Sequence, residues 1–149
     1  KIDHRVPDNY QEKRPFIGVV LEINNHKYLA PLTSYKPKQD NYKQNLPTIV
    51  KLHERGNPSN KLGMISINNM IPVIESEIQL LDLENQPEPY KTMLYKQYEF
   101  IKTKVMEIRD KAKKLHWLVV DKKQAFYCKI SCDFKSLEDN KILLKLTFL

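Results

Sequence analysis

The sequence predicts an α+β fold: a small, curled, mostly antiparallel sheet or barrel of five or six strands, followed by helices. Three observations carry this. Short apolar runs such as Phe16–Ile23 and Thr48–His53 fill the first half, and Asn24-Asn25, Arg55-Gly56-Asn57-Pro58 and Asn68-Asn69 punctuate them. From Glu88-Pro89 onward, apolar residues instead recur every three or four positions. The 149 residues, 41% of them hydrophobic, suit one domain over 1–149 with a buried core rather than a disordered chain.

Taken in order, Phe16–Ile23 reads as the first strand. Asn24-Asn25 tolerates the positive φ of a tight hairpin, and Lys27–Leu32 returns as the second strand. Pro31 cannot donate to a ladder, so it is expected at an edge or near the strand end. Thr33–Leu46 is polar and without period, carrying three lysines and two tyrosines; a loop of that length in a small domain is functional or mobile. Leu62–Ile67 and Met70–Ile74 are two further short strands. Tyr90, Leu94, Ile101, Val105, Ile108, Ala112 and Leu115 then trace one long amphipathic helix from about 89 to 115, with Pro89 in its first turn. Its outer face carries Lys102, Lys104, Arg109, Lys111, Lys113 and Lys114, either as a solvated face or as an RNA-contacting stripe. A second helix is expected from Ser131–Asp133 into Ile142–Leu146.

Composition narrows the chemistry. Twenty-five Lys and Arg against 18 Asp and Glu leave a net charge of +7, which favours a polyanionic partner without choosing among RNA, DNA and an anionic surface. No apolar run is long enough to span a membrane, and no start resembles a signal peptide, so a cytoplasmic protein is expected. Only three glycines are present, with no Gly-rich phosphate loop, so no nucleotide cofactor is expected. Cys128 and Cys132 read as two reduced thiols rather than zinc ligands, since only His116 lies near them in sequence. No histidine pair has metal-binding spacing, so no metal is expected, and there is no nucleophile elbow for serine hydrolysis. Trp117 reads as core or edge packing, Tyr95 and Tyr98 as half-buried, and His26 and His53 as ordinary surface residues. A histidine is the main alternative to a lysine as proton carrier.

What stands out is Thr33, Ser34, Lys36 and Lys38 at the end of the second strand. Hydroxyls donate to a phosphate and ammoniums neutralise it. RNA brings its own nucleophile, the 2′-OH, so an enzyme that aligns it and stabilises the crowded phosphate needs no metal. By itself Thr-Ser-x-Lys also fits a plain polar turn. Tyr35 and Tyr42, in the same loop, suit stacking on unpaired bases.

Several segments, in order, resemble the ToxN/AbiQ family: Phe16–Ser34 (FIGVVLEINNHKYLAPLTS), Lys51–Glu54 (KLHE), Leu62–Val73 (LGMISINNMIPV), Met93–Ile101 (MLYKQYEFI) and Cys132–Glu138 (CDFKSLE). These are endoribonuclease toxins of type III toxin–antitoxin systems, used in bacterial phage defence. The resemblance implies a compact, highly curved antiparallel sheet with flanking helices, similar to the small-barrel toxins of the Kid/MazF kind. It implies metal-independent RNA cleavage to a 2′,3′-cyclic phosphate and a 5′-hydroxyl, acting on target mRNA. It also implies an antitoxin that is a small repeated pseudoknot RNA, cut from its precursor by the toxin and held in a closed toxin–RNA assembly.

Matched position by position, the resemblance makes Ser34 the contact to the scissile phosphate or 2′-OH. Lys36 would stabilise the phosphorane or protonate the leaving oxygen, and Thr33 would position the phosphate. Tyr10, six residues before Phe16, matches a family tyrosine for proton transfer or phosphate contact, and Arg14 matches a phosphate clamp. Lys38, Lys43, Tyr35 and Lys51 are expected RNA contacts. The chain lacks most of the family's stretch before Val6-Pro7, so a strand and some RNA contacts are expected to be missing. The alternative function is a non-catalytic RNA-binding module on the same barrel; a DNA-directed or gyrase-directed toxin is a weaker third reading, because double-stranded DNA has no 2′-OH.

Overall fold

The computed structural model describes residues 16–139 and 146–148. Its strands are β1 (Phe16–Ile23), β2 (His26–Thr33), β3 (Ile49–Glu54), β4 (Asn57–Ser66), β5 (Ile71–Val73), β6 (Ile78–Leu80) and β7 (Leu146–Phe148). The helices are α1 (Tyr90–Thr103), α2 (Val105–Val120), α3 (Ala125–Ile130) and α4 (Phe134–Asp139). The strands form one sheet in the order β3-β4-β2-β1-β7-β6, with β5 pairing β2 beside that path.

The first hairpin forms for the reason its sequence suggests. Asn24 and Asn25 adopt φ of 50° and 66°, the two left-handed positions of a type I′ turn, and Ile23 registers with His26. β2 is the hub of the sheet. One edge pairs with β1 from His26 to Pro31; the other takes β5 at Lys27–Leu29 and β4 at Leu32–Thr33. Changing partners along one edge turns the sheet, which curls over a core of Tyr28, Leu29, Ile65, Ile67, Met70, Ile108, Leu115 and Phe134. Pro31 sits in the gap between the two partners, inside the sheet rather than at its edge. A residue without an N–H fits there, where that edge has no ladder neighbour.

Two glycines permit close approach. A Cβ on Gly18 would lie 2.3 Å from the Ala30 carbonyl oxygen. Gly63, at φ +119°, would place one 1.9 Å from the Thr33 carbonyl oxygen. Gly63 also stands where β3 and β4 shift register after Leu52. That bulge presses the β3–β4 hairpin against the end of β2.

Four expectations need correction. The long helix of about 89–115 is two helices, broken at Lys104 (φ −118°, ψ 11°) and extended to Val120. Apolar spacing continues across the break, so periodicity alone could not reveal it. Locally, the Thr103 hydroxyl donates to the Phe100 carbonyl at 2.6 Å, a back-bond that competes with helix continuation. Next, of the expected C-terminal helix the described part is α4 (Phe134–Asp139), residues 140–145 lie outside the described residues, and Leu146 belongs to strand β7 rather than to a helix. Its start was well marked, because Asp133 Oδ1 accepts from the Ser136 N–H at 3.1 Å as an N-cap. Third, the described residues form a sheet of seven strands rather than five or six. The additions are β6 and β7, three residues each, and β7 pairs parallel to both β1 and β6. Finally, α3 was not anticipated.

α1 packs on β3, α2 on β1, and α4 on β5. Between these layers lies a buried polar cluster. The Tyr28 hydroxyl and His116 Nε2 (2.7 Å) both meet Glu138 Oε1, and His26 approaches Glu138 Oε2 at 3.9 Å. His116 also stacks on Phe134 at 5.9 Å.

A candidate RNA-cleaving site at the end of the second strand

Thr33 ends β2, and its register partner on β4 is Met64, which in turn registers with Lys51 on β3. Residues directly opposite in antiparallel strands share a sheet face. The fold therefore sets Thr33, Met64 and Lys51 in one row across three strands, bringing together two candidates that lie far apart in sequence. Beyond Thr33 the chain runs out with Lys36 extended (φ −136°, ψ 140°). Alternation along such a chain sets Ser34 and Lys36 on one side and Tyr35 on the other. Burial agrees: Ser34 and Lys36 are exposed, while Tyr35 is half-buried.

The loop that follows is tied down rather than loose. Pro37–Asn41 forms a short 3-10 helix, with Pro37 in its first turn where a missing N–H matters little. The Gln39 N–H closes it on the Lys36 carbonyl at 2.9 Å. Gln39 turns inward, its Nε2 donating to the Ser34 carbonyl at 2.9 Å and to Thr33 Oγ1 at 3.4 Å. Thr33 Oγ1 in turn donates to the Met64 carbonyl at 3.4 Å. Asp40 is the outer anchor. Its Oδ2 accepts from the Tyr35 hydroxyl and from Lys61 Nζ, each at 2.8 Å, and its carbonyl accepts from Lys51 Nζ at 3.2 Å. Lys61 and Tyr35 donating to it hold the Asp40 carboxyl below its ordinary range, and the same bond raises the Lys61 ammonium.

The row of basic residues is thus partly committed. Lys61 is neutralised by Asp40 and lies 5.3 Å from the centre of the Tyr35 ring, so Tyr35 presents less free ring than an exposed loop tyrosine would. Lys36 and Lys38 are exposed and form no ion pair among the described residues. Lys43 is exposed further along, beside a cavity lined by Asn41, Tyr42, Thr48, Asn68 and Asn69. On the other side of the strand end, a cavity of about 190 Å³ is lined by Thr33, Ser34, Ile17, Tyr90 and Met93. Tyr10 and Arg14 lie outside the described residues.

The helical lysine stripe breaks up in three dimensions. Lys111 is not on a solvated face: its Nζ donates to the carbonyls of Gln44 (2.5 Å) and Ile49 (3.0 Å), fastening the end of the loop to β3. Burial lowers its ammonium, only partly offset by Glu107. Lys102 pairs with Glu99 and Lys104 with Glu107. Arg109 and Lys113 are exposed beside the β1–β2 turn, lining a groove with Asn24, Asn25 and Lys27. Trp117 is 46% exposed, which removes the core half of the expected core or edge packing, and Lys122 Nζ lies 5.0 Å above its ring. His53 is not a simple surface residue either: it packs on Phe100 at 4.3 Å. Among the described residues, no group of three or more His, Cys, Asp and Glu stands close enough to hold a metal ion. No described helix is long and apolar enough to cross a membrane.

Sequence reasoning missed Gln39, Asp40 and Lys61. Asp40 and Gln39 follow a Pro within the polar loop, which is a turn signal but says nothing about what a side chain reaches. Lys61 comes from the neighbouring hairpin and had no local signal.

A curled, basic α+β domain with exposed hydroxyl and amine groups at one braced strand end has the makings of a phosphodiester-handling protein. Comparison with known proteins narrows the class. The family model described as toxin ToxN of the type III toxin–antitoxin system matches residues 1–141. Endoribonuclease ToxN of Pectobacterium atrosepticum is 46% identical over 144 residues, covering 93% of this chain and 82% of that protein. The structure of AbiQ, a lactococcal anti-phage endoribonuclease of a type III system, superimposes with a TM-score of 0.79 at 34% identity, covering 93% of this chain and 85% of that one. A further solved structure, from work on selective toxin inhibition by a non-coding RNA pseudoknot, gives a TM-score of 0.73 at 32% identity, over 93% and 84% of the two chains. The chain belongs to the ToxN family of type III toxins.

Proposed function

We propose that this protein is an endoribonuclease toxin that cuts single-stranded RNA by attack of a 2′-OH on the adjacent phosphate. The observation that carries the reading is Ser34 and Lys36, both exposed, directly beyond a braced strand end whose last residue, Thr33, shares a row with Lys51. The new bond joins O2′ to phosphorus and the broken one is P–O5′. The proton leaves the 2′-OH for a base and another is delivered to O5′. The products are a 2′,3′-cyclic phosphate and a 5′-hydroxyl, and no metal takes part.

In this reading Ser34 hydrogen-bonds the phosphate or the attacking hydroxyl. Lys36 neutralises the charge that develops on the crowded phosphorus or protonates O5′. Thr33 positions the phosphate, with Tyr10 as a further proton carrier and Arg14 as a clamp. Lys38, Lys43, Lys51 and Tyr35 hold the flanking strand. The net charge of +7 supports a polyanionic substrate. The relatives' endoribonuclease activity and anti-phage role support RNA cleavage in phage defence, with mRNA as the target and the cytoplasm as the setting. The pseudoknot inhibitor of a related toxin supports a small repeated pseudoknot RNA as antitoxin, held with the toxin in a closed assembly.

The test is cleavage of a single-stranded RNA pool by RNA-free protein in excess EDTA, with product ends identified chemically. Cyclic-phosphate ends, slowed by orders of magnitude in Ser34→Ala and Lys36→Ala while RNA affinity changes much less, are the expected result. RNA bound but left intact would replace this reading with that of a binding module.

A further inference from the structure

We propose that Gln39 is a positioning residue for the cleavage reaction, a clamp that sets the Thr33–Ser34–Lys36 segment in its reactive shape. This rests on the reading of Ser34 and Lys36 given above. Gln39 sits in a loop whose neighbours Lys38, Asp40 and Asn41 are all exposed, yet it is only 4% exposed itself. Loop glutamines ordinarily point to water. Its amide nitrogen spends both protons on the site: one on the Ser34 carbonyl at 2.9 Å, the other toward Thr33 Oγ1 at 3.4 Å. Its own N–H holds the Lys36 carbonyl. One residue therefore grips all three members of the candidate site, through the Ser34 and Lys36 carbonyls and the Thr33 hydroxyl, and leaves the Ser34 hydroxyl and the Lys36 ammonium untouched.

The other end of the same amide makes the point sharper. Gln39 Oε1 is buried with no hydrogen-bond partner among the described residues. A buried, unpaired acceptor disfavours the folded state. An apolar side chain of the same length would avoid that penalty but would take its donor from the Ser34 carbonyl. What only the amide supplies is the pair of donors. Bound to Gln39 on one side and donating to the Met64 carbonyl on the other, the Thr33 hydroxyl has its orientation decided before any substrate arrives. The Ser34 carbonyl is likewise held, so the Ser34 side chain is carried on a fixed peptide. Displacement of a reacting group by about 1 Å can slow a reaction about 100-fold without weakening binding.

Two substitutions test this. Gln39→Met keeps length and fill and removes both donors. Gln39→Glu keeps the shape but sets a carboxylate against the Ser34 carbonyl; buried there, its pKa should rise, and its protonated form regains one donor. Each is measured with a labelled single-stranded RNA in single-turnover cleavage at saturating protein. Affinity is measured with the same RNA carrying 2′-O-methyl groups, and folding by thermal melting.

The expected result is a rate about 10- to 100-fold below wild type in Gln39→Met, with affinity within about threefold. The rate of Gln39→Glu, taken relative to wild type at each pH, should climb as pH falls from about 8 to about 6. In a Ser34→Ala background, Gln39→Met should add little, because the group it positions is gone. Wild-type rates in both variants, or a loss that lies wholly in affinity, would overturn the proposal. So would an equal relative rate of Gln39→Glu at every pH, even if Gln39→Met failed to fold. If Ser34→Ala itself cleaves at full rate, the site reading falls instead, and that result is separate from any of these.

Discussion

Glu138 shows how a single residue can be central to this fold without being part of its chemistry. It is 7% exposed at the side chain, yet it accepts from Tyr28 and His116 and lies near His26. Burial pushes its carboxyl up, but the hydrogen bonds from Tyr28 and His116 and the two histidines' charge outweigh that and hold it below the usual 4.5. A carboxyl lowered by folding stabilises the protein fully above its unfolded value, and that contribution drains away as pH falls through the folded one. Burial first, and then Glu138, both raise the Tyr28 hydroxyl above the usual 10.0, so its share is intact below about pH 10 and is lost progressively above it. The expected stability curve falls on both flanks. Glu138→Gln should lower stability at neutral pH by about 1–3 kcal/mol. It should also flatten the acid flank, where stability is lost as pH falls through and below the ordinary carboxylate range, as read by thermal melting. An unchanged acid flank would show that other carboxyls control it. None of this was visible from sequence, where Glu138 lies 110 residues from Tyr28 and 22 from His116.

At the scale of elements, the sharpest contrast is between the strands that turn residues announce and those that only pairing creates. The β1–β2 hairpin was legible to the residue, because Asn24-Asn25 determines its own turn and hence its register. β6 and β7 were not: three residues of ordinary composition become strands only beside each other and β1. The helix break at Lys104 was hidden for a related reason, since both helices present apolar residues at the same spacing to the same core. Gly63 joins element to site. Its φ of +119° and its contact with the Thr33 carbonyl exclude a Cβ on two independent grounds. Gly63→Ala should destabilise the fold by on the order of 3 kcal/mol, combining backbone strain with a steric clash. Any folded fraction should cleave slowly, because relief of the clash moves Thr33 off the row it shares with Lys51. Calorimetry together with the single-turnover assay checks both parts.

For the molecule as a whole, the balance of charge matters more than any one lysine. A net +7 is carried on a body where many lysines are already paired, among them Lys27, Lys61, Lys91, Lys96, Lys102 and Lys135. Lys36 and Lys38, which form no ion pair among the described residues, therefore stand out at the site. Binding of single-stranded RNA should weaken linearly in log affinity against log salt, by about 0.7 per phosphate neutralised. Lys38→Ala should reduce that slope by about 0.7 and leave the rate at saturation nearly unchanged, whereas Ser34→Ala should leave the slope alone. Titration of 2′-O-methyl RNA at several salt concentrations separates the two, and a slope untouched by Lys38→Ala would remove that residue from the RNA path.

By itself, the sequence determined the α+β class, the first hairpin, the start of α1, and the Thr33-Ser34-Lys36 run at a strand end. Each of these follows from neighbours in the chain, through turn chemistry, apolar spacing and the identity of adjacent side chains. Tertiary structure decided the rest. It set Lys51 in one row with Thr33, turned Gln39 beneath Ser34, spent Lys61 on Asp40, and diverted Lys111 from the helix surface to the loop. Those outcomes depend on which strands share an edge and how far a side chain reaches across the fold, and local sequence carries neither distance.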